Sequence, residues 1–216
     1  MGESQPDLEM FYQRYLYGLL DGDRAGCQRV VQELLDRDIS LKDLYYHILQ
    51  RALYDVGDLW EQNKISVARE HMATAMTEHL LTMVYPRIFS IPRCGRRAVV
   101  SCIANEFHQL GAKMVADILE LHGWDAFFLG SNTPVSDLVS MVREKRPDLV
   151  CLSLSIQFNL PALLTTLDHL GKAFPDLPVI VGGQAFRWGG SERIADYPAA
   201  RYASSIYVLE EMVMAW

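Results

Sequence analysis

Val99–Gly111 reads VVSCIANEFHQLG. An apolar run from Ala98 to Ile103 stops at a small polar loop that carries Glu106, His108 and Gly111, an E-x-H-x-x-G spacing, and helical periodicity then begins. This is the pattern of a strand, a loop and a helix start, with a histidine at the carboxyl end of the strand. In open α/β sheets, ligands bind outside that edge. An imidazole there can coordinate a metal, and a carboxylate just before it can orient the ring through its other nitrogen. On spacing alone, the same residues also fit a surface loop whose histidine does nothing.

Downstream, strand and helix periods alternate. Strands are expected at Ala98–Ile103, Asp125–Leu129, Leu149–Ile156, Pro178–Val181 and Arg201–Ser204. Helices are expected at Gly111–Leu121, Val135–Lys145 behind Thr133-Pro134, Leu160–Phe174 and Ile206–Ala215. Such alternation with short loops predicts a parallel sheet wrapped by helices. The strand ends would then share one rim, formed by Glu106–Gly111, Gly130–Thr133, Ser153 with Ser155, and Gly182-Gly183. Adjacent glycines let a backbone approach a ligand closely, and Ser153, in a buried strand, should need a hydrogen-bond partner. Taken singly, each loop is ordinary turn chemistry. No G-x-G-x-x-G follows the first strand, which argues against a dinucleotide.

Upstream, through residue 92, the chain reads as helices. Leu8, Phe11, Tyr12, Tyr15, Leu16 and Leu19 recur at helical spacing after Pro6, a first-turn residue. Asp21-Gly22-Asp23 breaks that helix, and Cys27, Val30, Val31, Leu34 and Leu35 form one face of the next. Ser40 is the expected N-cap of a third, whose stripe runs Leu41, Leu44, Tyr45, Ile48, Leu49, Ala52, Leu53, Val56, Leu59 and Trp60. Ser66 caps a fourth, lined by Val67, Met72, Met76, Leu80, Met83 and Val84. Together they predict a four-helix bundle, joined through a linker at Ile91–Gly95 to a second domain spanning residues 93–216.

The 216 residues carry a net charge of −7 and no long basic run, which disfavours direct nucleic-acid binding. The four cysteines are scattered without a C-x-x-C pair, so neither a disulfide framework nor a zinc site is expected. The first residues lack the regions of a signal peptide, and no apolar stretch is long enough to span a bilayer. A cytoplasmic protein off the membrane is expected.

Glu106-Phe107-His108-Gln109-Leu110-Gly111, then Ser153-Leu154-Ser155, then Gly182-Gly183 resemble, in order and spacing, the motifs of cobalamin-binding domains of the methionine synthase and mutase type. The resemblance implies a Rossmann-like (flavodoxin-like) five-stranded parallel sheet. It implies that His108 replaces the nucleotide base as lower ligand to cobalt, that Glu106 hydrogen-bonds that histidine, and that Ser153 and the glycines line the channel for the displaced tail. The family usually has Asp where this chain has Glu106; the longer carboxylate can still reach the ring.

In the helical half, Trp60 and Glu70-His71 stand in a W-x9-EH spacing, with Glu70 expected in the second turn of its helix. In an arbitrary protein this would be a core Trp beside two solvated polar residues. Here it resembles the helical cap of CarH-type cobalamin photoreceptors, where such residues line the upper-face pocket around the adenosyl group. The implied assignment gives Trp60, Glu70, His71, Glu106, His108, Gly111, Thr133, Ser153, Ser155, Gly182 and Gly183 to the cofactor, with His108 on the metal. Of the other helical histidines, His47 and His79 are less well placed than His71.

Two departures stand out. The chain starts at the bundle rather than at a helix-turn-helix domain, and Glu61 occupies the position where the family can carry a capture histidine. The resemblance therefore implies an adenosylcobalamin-dependent light sensor that signals through self-association, a dimer foremost, or through a downstream protein partner. The sequence offers no nucleophile–base pair and no catalytic carboxylate pair, so an enzyme is not expected. Related stand-alone photocobilins also hold a bilin such as biliverdin; no residue here shows such a site. Two other readings stay open: a corrinoid methyl-carrier subunit of a methyltransferase system, and a sensor of cobalamin availability.

Overall fold

The computed structural model describes residues 8–216, so Pro6 lies outside the described residues. The chain divides between Arg87 and Ile88 into two units, and the expected linker Ile91–Gly95 falls in the second.

The first unit is helical. Helix α1 (Leu8–Asp21) buries Phe11, Tyr12, Tyr15 and Leu19. Gly22, at φ +79°, turns the chain, and the Asp23 carboxylate accepts from the Gly26 amide to cap α2 (Arg24–Asp36). These two helices pack so closely that a Cβ on Gly18 would sit 2.7 Å from the Cys27 sulfur.

The third helical stretch starts behind the Ser40 cap as α3 (Leu41–Asp43) and continues as α4 (Arg51–Glu61). Between them, Leu44–Gln50 is π-helical, and its Leu44, Tyr45, Ile48 and Leu49 are buried. Such wider turns inside helices are uncommon and mark local re-phasing of the side chains. The buried stripe of this stretch stops at Val56. Leu59 is half-buried and Trp60 is exposed, because the last turn extends beyond the packed segment.

Helix α5 (Val67–Leu81) follows the Ser66 cap. Its inner face is Ala73, Met76, Thr77, Leu80 and Leu81 rather than the expected Val67–Met72–Met76 line; Val67 and Met72 are exposed. The polar Thr77 belongs inside because its hydroxyl meets the buried Tyr15 hydroxyl at 2.9 Å and also donates to the Ala73 carbonyl. The short helix α6 (Tyr85–Phe89) leads out of this unit.

The second unit is a parallel sheet of β1 (Arg97–Cys102), β2 (Asp125–Phe128), β3 (Leu149–Ser153), β4 (Val179–Gly182) and β5 (Ala200–Tyr202) in the order β2-β1-β3-β4-β5. This is the flavodoxin-like order expected. Every residue of β3 is buried, and β1 is buried from Ala98 onward, as central parallel strands covered on both faces require. The crossover helices are α7 (Leu110–Leu121), α8 (Val135–Lys145) and α9 (Leu160–Ala173), with α10 (Ile206–Met214) packed against α7. Val99, Val150 and Val181 meet Leu138, Val142, Leu163 and Leu167 of α8 and α9 in one apolar core.

Because the chain leaves β1 toward β2 and then crosses to β3, the order reverses between β1 and β3. Register places Cys102 beside Ser153, and Ser153 beside Gly182, so three strand ends finish level at that reversal. Among the described residues no helix is long and apolar enough to cross a membrane.

Candidate functional site

The site is built on those level strand ends. β3 stops at Ser153 rather than running to Ile156. Leu154 makes the last ladder bond, its amide donating to the Gly182 carbonyl. The next two amides turn away from β4: Ser155 N–H and Ile156 N–H donate to Oε2 of Glu106 at 2.8 and 3.0 Å. Oε1 of the same carboxylate accepts the His108 amide at 3.0 Å and meets His108 Nδ1 at 2.6 Å.

Glu106 is 0 % exposed, while 48 % of the His108 side chain faces solvent. Burial pushes the Glu106 carboxyl upward. The hydrogen bonds from the His108 ring and amide and from the Ile156 and Ser155 amides outweigh that cost and hold it below its ordinary value. The buried carboxylate is thus ionised and committed. With Nδ1–H donated to it, the lone pair of the imidazole resides on Nε2, the nitrogen a metal would take. Among the described residues no group of three or more His, Cys, Asp or Glu side chains could hold a metal ion. His108 could supply one nitrogen ligand to a metal that arrives with its other ligands.

The glycines play different parts. Gly111 lies inside the first turn of α7, which begins at Leu110, one residue earlier than expected. A Cβ there would meet only the Ser153 hydroxyl, at 3.8 Å, so the fold does not demand glycine at this position. Its absence of a side chain keeps space open beside that hydroxyl. Ser153 is 8 % exposed at the end of β3. Gly183 is different: at φ +118° a Cβ would sit 2.1 Å from the Leu154 carbonyl oxygen. That glycine is required by the close crossing of the two backbones. Gly182 is tight against the Ala203 carbonyl at 3.2 Å, Thr133 is half-buried in the β2–α8 loop, and Ser155 contributes its amide to Glu106.

Three exposed aromatics stand on the same rim: Phe107 beside His108, Phe158 after β3 and Trp188 after β4. Gln157 Nε2 donates to the Trp188 carbonyl at 2.7 Å, tying two of their loops together. The sequence reading did not single them out, since exposed aromatics look like core residues in a one-dimensional pattern. It also missed Asn105 and Asn132, both left-handed (φ 67° and 51°), a role for which asparagine in a loop is suited.

In the helical unit, Glu70 lies in the first turn of α5, not the second, and Trp60 in the last turn of α4. Glu70 Oε2 meets His71 Nδ1 at 2.6 Å, and its Oε1 accepts from the Thr74 hydroxyl at 2.9 Å. Glu70 is 18 % exposed, His71 73 % and Trp60 41 %. Trp60 is therefore not a core residue, and this trio sits at the two helix ends flanking the turn after Glu61.

At its switch point this flavodoxin-like sheet carries a histidine held by a buried carboxylate, with glycines and serines on the neighbouring strand ends. Residues 96–206 match the family model described as a B12 binding domain, and residues 12–85 match a second model of that description. The chain belongs to the B12-binding domain family. It is 29% identical over 219 residues to the HTH-type transcriptional repressor CarA of Myxococcus xanthus, covering 98% of this chain and 69% of that protein. To the HTH-type transcriptional repressor CarH of the same organism it is 30% identical over 187 residues, 86% of this chain and 61% of that one. Its fold is that of the Methanosarcina barkeri monomethylamine corrinoid protein, with a TM-score of 0.82 at 14% identity over 96% of this chain and 99% of that chain.

Proposed function

We propose that this chain is an adenosylcobalamin-dependent light sensor. The observation that carries the reading is the Glu106–His108 pair: a buried carboxylate, held by two backbone amides of the neighbouring loop, takes Nδ1 of the imidazole, so that Nε2 would be its ligating atom. Family membership and the likeness to CarA and CarH along most of the chain support cobalamin as the ligand. His108 would ligate the cobalt from below. Gly111, Ser153, Thr133 and Gly182 would leave room for the nucleotide tail, and the aromatic rim of Phe107, Phe158 and Trp188 would offer flat apolar surface to the macrocycle. Trp60, Glu70 and His71 would attend the adenosyl group, the indole by its face and the carboxylate by accepting ribose hydroxyls. Bound adenosylcobalamin would supply a cobalt–carbon bond that light breaks.

Loss of the adenosyl group would remove contacts that bias the helical unit toward one arrangement, a two-state device set by its ligand. Output would pass through a change within a dimer or through a downstream protein partner in the cytoplasm, without catalysis by this chain. The experiment is an absorption spectrum of the protein with adenosylcobalamin, in the dark and after green light. Binding with photolysis supports the reading, and a further long-wavelength band after addition of biliverdin would add a bilin as second chromophore. Binding without any light-induced change refutes the light sensor.

A methyl-carrier role, as in a corrinoid methyltransferase subunit, is the second reading, favoured by the fold shared with the methylamine protein. Equal affinity for methylcobalamin and adenosylcobalamin would support it, because Trp60 and Glu70 would then have nothing to select.

A further inference from the structure

The backbone of Glu106 is held as firmly as its carboxylate. Asn105 and Asn132 face each other across the β1–α7 and β2–α8 loops. The Asn105 amide donates to Oδ1 of Asn132 at 2.8 Å, and the Asn132 amide donates back to the Glu106 carbonyl at 2.8 Å. Both asparagines are in the left-handed region, where a short polar side chain is tolerated and can serve a neighbouring loop. Asn159 adds a third strap, its Nδ2 donating to the Asn105 carbonyl at 3.0 Å. Glu106 therefore hangs between two anchors. Asn132 holds its main chain from the β2 side, and the Ser155 and Ile156 amides hold its carboxylate from the β3 side.

A hydrogen bond of 2.6 Å to His108 Nδ1 tolerates little misplacement of either end. We propose that Asn132 is a positioning residue for the cobalt-ligating histidine. Through its clasp with Asn105 it sets the backbone of Glu106, and thereby the orientation in which His108 offers Nε2. The proposal rests on the cobalamin reading above for the identity of the metal, and on the clasp alone for the orientation of the ring.

Glycine would satisfy the positive φ of Asn132 equally well, so the backbone turn does not explain the residue. Only the side-chain oxygen reaches the Asn105 amide. Asn132→Gly removes that acceptor without straining the loop, and Asn132→Asp keeps both the acceptor and the tolerance for left-handed backbone.

Two readouts test this on the full chain. The first is the electron paramagnetic resonance spectrum with cob(II)alamin as the probe, in which an axial nitrogen splits the cobalt lines. The ratio of histidine-ligated to unligated cofactor should fall about fivefold in Asn132→Gly, the equivalent of one ordinary hydrogen bond, and recover in Asn132→Asp. The second is the ring nitrogen spectrum of His108 without cobalamin. The unmodified chain and Asn132→Asp should show one Nδ1–H tautomer, and Asn132→Gly a mixture. An unchanged ligation ratio and tautomer in Asn132→Gly, or a loss in Asn132→Asp as large as in Asn132→Gly, overturns the proposal. If the unmodified chain takes up no cobalamin, the functional reading fails instead, and the ring spectrum alone decides the clasp.

Discussion

Glu106 and Glu70 each lie 2.6 Å from an Nδ1 of a histidine, yet the two contacts are physically unlike. Glu106 is wholly buried and accepts from the ring and amide of His108 and from the amides of Ser155 and Ile156 on another loop. Glu70 and His71 are sequence neighbours at the start of one helix, and the Thr74 hydroxyl that also donates to Glu70 comes from the same helix. An exposed pair of this kind contributes about 0–1 kcal/mol. A buried carboxylate with four partners is part of the fold, because removing it takes the acceptor from the His108 ring and from three backbone amides of two loops at once. The sheet unit fixes the ring of His108 as a by-product of folding. The trio of the helical unit stands at helix ends, where Trp60 and His71 are exposed and local hydrogen bonds alone hold Glu70.

The largest expected effect is that of Gly183→Ala, which drives a methyl group into the Leu154 carbonyl at a left-handed position. It should destabilise the sheet unit by about 3 kcal/mol or more, seen in thermal or urea unfolding. Next, Glu106→Ala should cost about 2–3 kcal/mol without any cofactor, by stranding the Ser155 and Ile156 amides, whereas Glu70→Ala should stay within about 0.5 kcal/mol. Equal losses from the two carboxylates would break the contrast drawn above.

With cobalamin the comparison sharpens. His108→Ala should abolish the spectrum of the histidine-ligated form, and Glu106→Gln should weaken binding by about 10–100-fold, as loss of a ligand's supporting hydrogen bond does. Trp60→Ala should leave unfolding unchanged and lower only the preference for adenosylcobalamin over methylcobalamin, by less than about tenfold, the scale of a modest apolar contact. Competition binding of the two cofactors reads it. A Trp60→Ala chain that unfolds like Gly183→Ala would make Trp60 a structural residue.

The smallest effect concerns position 61. Glu61→His should change stability by less than about 0.5 kcal/mol, as exposed substitutions do. It should nonetheless allow a second histidine to reach the metal after illumination, visible as a shifted absorption spectrum. The unmodified chain should show no such adduct through this position, and small-angle scattering of dark and lit samples should differ by less than a full disassembly. A full disassembly on illumination would show that Glu61 matters less than the resemblance implies.

Much of this molecule was legible in one dimension. The parallel sheet wrapped by helices followed from alternating periods and short loops, because local periodicity and turn chemistry are read within a few residues, while its flavodoxin-like order came with the family resemblance. The helix boundaries Val135–Lys145 and the start at Leu160 fell where expected. The Glu106–His108 contact was legible for the same reason: the two residues are neighbours in the loop. Errors came where distant groups decide. The inner face of α5 shifted to include Thr77 because Tyr15, on another helix, supplies its partner. Trp60 belonged to a regular apolar stripe but lies on a turn that nothing covers fully.

The amino-acid sequence by itself thus determined the α/β class, the position of the histidine at a strand end, and the family motif around it. Only the tertiary structure decided that β3 ends at Ser153, that its next amides serve a carboxylate 49 and 50 residues earlier, and that Asn132 reaches back to the loop of His108. The physical reason is that a backbone amide is the same donor at every position. Which acceptor it meets depends on which loops the folded sheet brings level, and no spacing along the chain records that.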